Sequence, residues 1–123
     1  MAKRRRSALT ILIVIFAGVI VAWLRWPVGR AFDARVWQDE KQVQQGVRLA
    51  MADRIVARRM LLGKSRAQVT AMLGEPPETV YFPDWDLVYW LGPERAFISI
   101  DSEWLVVRFD SNERVSEYRI VHD

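Results

Sequence analysis

The segment GKSRAQVTAMLGEP, residues 63–76, specifies a short helix with both of its ends marked. Ser65 and Gln68, three positions apart, form a capping-box pattern in which each residue satisfies a backbone amide at the helix start. Val69 and Leu73 are four residues apart, so they share one apolar face. Gly74 predicts a left-handed C-terminal cap, and Pro76 stops the helix from continuing. The segment therefore predicts one short amphipathic helix that needs a partner surface.

Beyond this helix the apolar period changes from that of a helix to that of a strand. Residues 87–91, 104–110 and 114–121 predict three strands, and the turn at 110–113 is expected to place Asn112 at positive φ. In the second strand, Leu105, Val107 and Phe109 share one face, and Trp104, Val106 and Arg108 share the other. Tyr118 and Ile120 of the third strand are expected to face the core. Consecutive hairpins predict an antiparallel meander with the helices on one face.

N-terminal to the helix motif, residues 31–62 contain no proline and are rich in good helix formers. Their apolar side chains fall in a narrow stripe at 100° per residue, formed by Phe32, Val36, Val43, Val47, Ala50 and Leu61. We interpret residues 31–54 as a polar helical stalk whose continuation from Ile55 packs on a domain spanning 55–123. A self-associating seam is the alternative, although the complementary heptad positions Asp39, Gly46 and Asp53 are not apolar.

The end of the stalk and its continuation carry the basic side chains Arg54, Arg58 and Arg59. We interpret them as a solvated helix face. Contact with anionic lipid headgroups is the alternative.

The N-terminal region reads ALTILIVIFAGVIVAWL over residues 8–24, without a charge. A helix of this length is slightly shorter than the hydrocarbon core of a bilayer, which is about 30 Å thick. Arg25 can snorkel outward, Trp23 and Trp26 suit the interfacial belt, and Pro27 ends the span. Residues 1–30 therefore predict a cytoplasmic basic tip followed by a single transmembrane anchor.

Charge predicts the orientation of this anchor. Lys3 and the arginines at 4–6 precede the span without an acid, which favours a cytoplasmic N-terminus and a C-terminal domain on the other side. In a bacterium this means the inner membrane, with the domain in the periplasm. A cleaved signal peptide is the alternative, but the small-residue pattern at Gly29 and Ala31 is a poor cleavage site.

The residues at 63–76 resemble the G-x-[ST]-x-x-Q-V-x-x-x-L-G-x-P signature of the small outer-membrane assembly lipoproteins, the BamE/SmpA/OmlA type. The resemblance extends over residues 55–121, through Trp90-Leu-Gly and the strand from Leu105 to Asp110. It implies an ααβββ domain of the bacterial envelope that binds protein or lipid without catalysis. The matching positions carry over as structural residues: Gly63, Ser65, Gln68, Val69, Leu73, Gly74 and Pro76.

Two positions depart from that family's pattern. The chain has no cysteine to carry a lipid, so an uncleaved helix would replace the lipid anchor. The last hairpin has Glu113 where the family usually has glycine, which we interpret as a minor change of turn type.

Catalytic chemistry is not expected from these residues. The chain has one histidine, His122, next to the C-terminal residue, and has neither a cysteine nor a glycine-rich phosphate loop. The acid pairs Asp84 with Asp86 and Asp101 with Glu103 are interpreted as turn-forming or solvated residues. We therefore expect no enzyme activity, no cofactor and no metal.

The distribution of charge and aromatic residues favours a protein partner. Residues 63–123 carry eleven acids against six bases, which disfavours nucleic acid. Phe82, Trp85 and Phe97 fall in connecting segments, where exposed aromatic side chains would anchor a partner. Ordinary packing of these rings into the small domain is the competing interpretation, because each buried ring adds apolar area to a small core.

The sequence thus predicts a membrane-anchored periplasmic binding module that acts in cell-envelope or outer-membrane assembly or integrity. A structural or regulatory subunit of a larger inner-membrane complex is one alternative. A secreted, inhibitor-like binding protein is another.

Overall fold

The computed structural model describes the backbone of residues 2–25 and 29–123, and the side chains from residue 7 onward within those ranges. The chain is α+β, with an N-terminal apolar helix and a three-stranded antiparallel sheet. The helices are α1 (Ala2–Leu24), α2 (Ala34–Trp37), α3 (Glu40–Val43), α4 (Val47–Ala57) and α5 (Arg66–Leu73). The strands are β1 (Leu87–Pro93), β2 (Ser102–Phe109) and β3 (Val115–His122).

The sheet has the order β1-β2-β3, in which each neighbouring pair is antiparallel. Leu105 of β2 lies opposite Tyr89 of β1 and Ile120 of β3. A bulge between Trp90 and Gly92 shifts the register near the end of β1. The predicted strands and their meander order are confirmed.

One face of the sheet forms the main core with the helices. Its fully buried strand residues include Leu91, Leu105 and Val107, which alternate along their strands with residues of the other face. Helices α4 and α5 supply Ile55 and Val69 to the same cluster. Tyr118 and Ile120 pack against it, as predicted, and the Tyr118 hydroxyl donates to the Ile55 carbonyl at 3.4 Å. Neither this sheet face nor the amphipathic helices would be stable alone.

The helix α5 begins with the capping box expected from the sequence. The Gln68 amide donates to Ser65 Oγ at 3.2 Å, and the Ser65 amide donates to Gln68 Oε1 at 2.9 Å. Gly74 ends the helix with φ 78° and ψ 172°, so its φ is positive but its ψ is extended rather than left-handed helical. The predicted left-handed cap is therefore wrong in ψ, because the chain leaves α5 directly into the extended segment at Pro76.

The prediction of a continuous helical stalk through residues 31–62 is wrong, since this segment forms three helices, α2, α3 and α4, that pack on the core. Asp33 caps α2 and Asp39 caps α3 through their carboxylates, while Gly46, at φ 75°, starts α4. Trp37 is completely buried, and its Nε1 donates to the Leu73 carbonyl at 3.1 Å. The segment between residues 31 and 54 therefore supplies core residues and hydrogen bonds to the end of α5.

The β2–β3 turn places Glu113, at φ 58°, in the left-handed region, so the expectation for Asn112 is wrong. The Asp110 carboxylate accepts hydrogen bonds from the amides of Asn112 and Arg114, at 2.8 and 3.1 Å. These bonds fix a tight turn followed by one left-handed residue, a common hairpin geometry that favours glycine at that position. Glu113 thus has a backbone conformation that glycine adopts more easily, and the interpretation of this position as a change of turn type relative to the family stays a prediction.

The helix α1 exposes apolar side chains on every side. Residues 7–24 have a mean hydropathy of 2.6, and none of that window is buried. Among the described residues, α1 is therefore the one helix whose length and composition would allow it to cross a membrane. Trp26 and Pro27, expected to mark the end of a span, lie outside the described residues.

Candidate functional site

The face of the sheet opposite the main core carries a smaller cluster, which we call the aromatic face. Its buried strand residues are Val88, Trp104 and Val106. Phe82, Trp85, Trp90 and Val121 pack against them as partly buried side chains. Within the described part of the chain, no residue of a helix belongs to this cluster. A connecting segment, rather than a helix, therefore shields this side of the sheet.

That segment, residues 77–86, folds back over Trp104. The ring of Phe82 lies 6.2 Å from the ring of Trp104, and the ring of Tyr81 lies 5.2 Å from it. Phe82 adopts φ 53°, a left-handed conformation that is costly for a large side chain. Both rings therefore contact Trp104, and Tyr81 still keeps 48% of its surface exposed.

The ring of Trp85 contacts two arginines, one from β2 and one from β3. The guanidinium carbon of Arg108 lies 4.1 Å from the centre of its ring, and that of Arg119 lies 5.2 Å from it. Glu117 forms ion pairs with both arginines. The guanidinium groups are attracted to the face of the indole ring, and the Glu117 carboxylate balances part of their charge. Tryptophan, tyrosine and arginine are also the residues most enriched at the energetic centres of protein interfaces.

A groove of about 440 Å³ lies along the same segment. Its lining includes Tyr81, Phe82, Trp85, Glu78 and Arg66. The groove therefore combines aromatic surface with charges of both signs, and it lies beside the stacked Trp85. Such a surface suits a side chain or short segment of another protein.

A second exposed apolar surface lies between β1 and β2, in residues 94–101, which we call the tip loop. Phe97 is completely exposed, while Ile98 and Ile100 are 66% and 83% exposed. Three large apolar side chains within four residues are unusual at a surface contacted by water alone.

The base of the tip loop is fixed by ion pairs. Arg95 donates to both oxygens of Asp53, at 2.5 and 3.0 Å, and to both oxygens of Glu103, at 2.9 Å. Hydrogen bonds from Arg95 lower the pKa of Glu103 to about 2. Glu103 is buried, so the interpretation of this acid as solvated or turn-forming is wrong. The Arg95 ion pairs connect the tip loop to α4 and β2.

The single histidine lies beside this network. His122 Nδ1 is 3.5 Å from Glu94 Oε1, and His122 Nε2 is 3.4 Å from Glu103 Oε1. Among the residues that the structure describes, no group of three or more metal-ligating side chains has the arrangement of a metal site. The His122 ring is half exposed at the end of β3 and lies beside these two carboxylates.

The three predicted partner-binding aromatics occupy different environments. Phe82 and Trp85 are partly buried in the aromatic face, whereas Phe97 is exposed on the tip loop beside Ile98 and Ile100. Sequence reasoning missed the arginines that stack on Trp85, because Arg108 and Arg119 become its neighbours only through strand pairing. It also missed Ile98 and Ile100, although apolar residues beside Phe97 in a connecting segment were a usable signal. The motif residues from Gly63 to Pro76 lie in and around α5, where Ser65 and Gln68 make structural bonds.

Comparison with known proteins gives no relative: no family model, curated protein sequence or solved structure matches this chain.

Proposed function

We propose that this chain is a single-pass inner-membrane protein whose C-terminal domain binds another protein of the bacterial envelope. In this proposal α1 remains uncleaved in the bilayer, the N-terminus is cytoplasmic, and the α+β domain lies in the periplasm. The domain acts by binding, without catalysis, in envelope or outer-membrane assembly.

The observation that carries the proposal is the exposed apolar surface of α1. Its apolar window of 18 residues is about 27 Å long as a helix, which is close to the bilayer core of about 30 Å. The window from residue 7 to residue 24 is apolar, and none of it is buried. Lys3 and three arginines precede the apolar window of α1, and this asymmetry favours a cytoplasmic N-terminus.

The aromatic face supports a protein as the ligand. Tyr81 is exposed, Trp85 is stacked by Arg108 and Arg119, and the adjoining groove is open. Aromatic rings of this kind provide rigid contact area, while the arginines provide orientation through hydrogen bonds. Phe82 and Trp85 are therefore proposed as the centre of the protein-binding surface.

The test is site-specific photo-crosslinking in living cells, with a benzophenone amino acid at position 81. Position 62 is the matched control, because Leu62 is 52% exposed and Tyr81 is 48% exposed, but Leu62 lies outside the aromatic face. We expect one envelope protein to be crosslinked from position 81, and this product to disappear with Trp85→Ala. Equal products from both positions, or none from position 81, would contradict the proposal.

A further inference from the structure

The tip loop presents its apolar residues from an ordered frame. The Glu94 amide donates to the Asp101 carbonyl at 2.9 Å, which closes the loop, and the Ser99 hydroxyl donates to the Glu94 carbonyl at 2.5 Å. The Arg95 amide donates to Glu103 at 2.9 Å. The loop is therefore held at its base, while Phe97 and its apolar neighbours project into solvent.

The base of this loop adjoins the point where the chain arrives from α1. The Arg30 amide donates to the Ala50 carbonyl at 2.9 Å. A Cβ added to Gly29 would lie 2.2 Å from that same carbonyl oxygen, so the backbone at residue 29 sits directly on α4. Asp53, three residues beyond Ala50, binds Arg95 at the base of the tip loop. A continuous series of contacts thus joins the end of the anchor segment to the tip loop.

The chain between α1 and Gly29 is short, which limits the distance between α1 and the edge of the domain formed by Gly29, Asp53 and Arg95. Five residue steps separate Leu24 from Gly29, which span at most about 18 Å when fully extended. If α1 is in a bilayer, this edge stays near the lipid headgroups, because the connecting chain cannot reach farther. Two further residues beyond Arg95 bring the chain to Phe97.

We propose that the tip loop inserts Phe97, Ile98 and Ile100 into the interfacial region of the membrane that holds α1. This inference rests on the membrane anchor of the proposed function. Apolar side chains bind at the boundary between headgroups and acyl chains, where the polar loop backbone remains hydrated. Two attachments, α1 and the tip loop, would hold the domain in one orientation and keep the aromatic face available to a partner.

The experiment uses the full chain in vesicles of phosphatidylethanolamine and phosphatidylglycerol. Because the chain has no cysteine, a single introduced cysteine accepts one environment-sensitive NBD fluorophore. The labelled variants are Ala96→Cys in the tip loop, Val14→Cys in α1, and Asn112→Cys in the β2–β3 turn. The turn lies at the other end of β2 from the tip loop, about 25 Å away along the strand.

Lipids with a nitroxide on the upper acyl chain then quench only fluorophores at the bilayer surface or within it. We expect quenching at position 96 to exceed that at position 112 by about twofold or more, because only the former lies in the interface. Replacing all three apolar residues by serine, as F97S/I98S/I100S, should lower the quenching at position 96 to the level measured at position 112. The control Val80→Ser, which changes an 89% exposed valine elsewhere, should leave it unchanged.

The outcomes separate this inference from the anchor on which it depends. Quenching at position 14 without quenching at position 96 would leave the anchor intact and overturn insertion of the tip loop. Absence of quenching at position 14 would contradict the anchor and, with it, the inference. Quenching at position 96 that survives the triple serine variant would also overturn insertion through these three side chains.

Discussion

The two faces of the sheet are covered in different ways. Helices cover the main-core face, where Leu91, Leu105 and Val107 are completely buried. A connecting segment shields the aromatic face, where Trp85 and Trp90 remain partly exposed. The same alternation along β2 supplies both faces, since Leu105 points to one side and Trp104 and Val106 to the other.

The difference assigns the two faces different roles. Burial beneath helices removes apolar area from water and contributes most of the stability. The aromatic face gains less from folding, because its outer rings and arginines keep contact with solvent. In the proposed function those groups contact the partner, so substitutions on the two faces should separate stability from binding.

The largest effect is expected on the main-core side. Trp37 is completely buried against Tyr89, and its indole N–H has a carbonyl partner in Leu73. Trp37→Ala should lower the free energy of unfolding by about 3–5 kcal/mol, because it removes a large ring and leaves that carbonyl unpaired. Urea denaturation of the membrane-reconstituted chain, followed by circular dichroism, measures this loss. An effect below about 1 kcal/mol would mean that residues 31–54 do not belong to the core.

The second-largest effect concerns the ion pairs of Arg95, which join the tip loop to α4 and β2. The pKa of Glu103 is lower in the folded state, at about 2 against an ordinary value of 4.5. Its contribution is therefore complete above pH 4.5 and is lost as the pH falls toward 2. Glu103→Gln should lower the free energy of unfolding at pH 7 by about 2–3 kcal/mol and flatten its decrease below pH 4.5. Unfolding curves at pH 7, 4.5 and 3 test this; an unchanged acid dependence in the variant would refute the assignment.

On the aromatic face, stability and binding should respond differently. Trp85→Ala should lower the free energy of unfolding by about 1 kcal/mol, since the ring is partly exposed. It should nevertheless abolish the crosslinked product formed from position 81. If Trp85→Ala lowered the free energy of unfolding as much as Trp37→Ala, both faces would contribute equally to stability, which would contradict the contrast between them.

The smallest effect belongs to the β2–β3 turn. Glu113 has a positive φ and forms an exposed ion pair with Arg66 at 3.5 Å. Glu113→Gly should raise the free energy of unfolding by about 0.5 kcal/mol, because relief of the left-handed strain exceeds the loss of the exposed pair. Glu113→Ala removes the same charge and keeps the strain, so it should not stabilise. A shift in the thermal midpoint distinguishes the two variants.

Local patterns in the sequence were enough to predict α5 and the three strands. The capping box of Ser65 and Gln68 acts within one helical turn, and strand alternation repeats every two residues. The packing of residues 31–54 depends instead on distant partners, since Trp37 bonds to Leu73 and Arg48 bonds to the Trp90 carbonyl. A polar helical composition does not encode such contacts.

The candidate sites follow the same division. Phe97 was identified from its place in a connecting segment, and the structure leaves its side chain exposed. The ion pair of Arg95 with Asp53 joins residues 42 positions apart, and the stacking of Arg119 on Trp85 crosses two strands. Neither contact has a local signature in the sequence. The resemblance to the assembly lipoproteins and the membrane topology stay predictions.

Cysteine accessibility in intact cells tests the topology most directly, because the chain has no cysteine of its own. One variant carries Ala2→Cys at the N-terminus and another carries Asn112→Cys in the β2–β3 turn, which the proposal places in the periplasm. After the outer membrane is permeabilised, a membrane-impermeant maleimide should label position 112 at once and position 2 only after the inner membrane is disrupted. Labelling of position 2 in intact spheroplasts, or recovery of a labelled, shortened chain in the soluble fraction, would contradict an uncleaved anchor with this orientation.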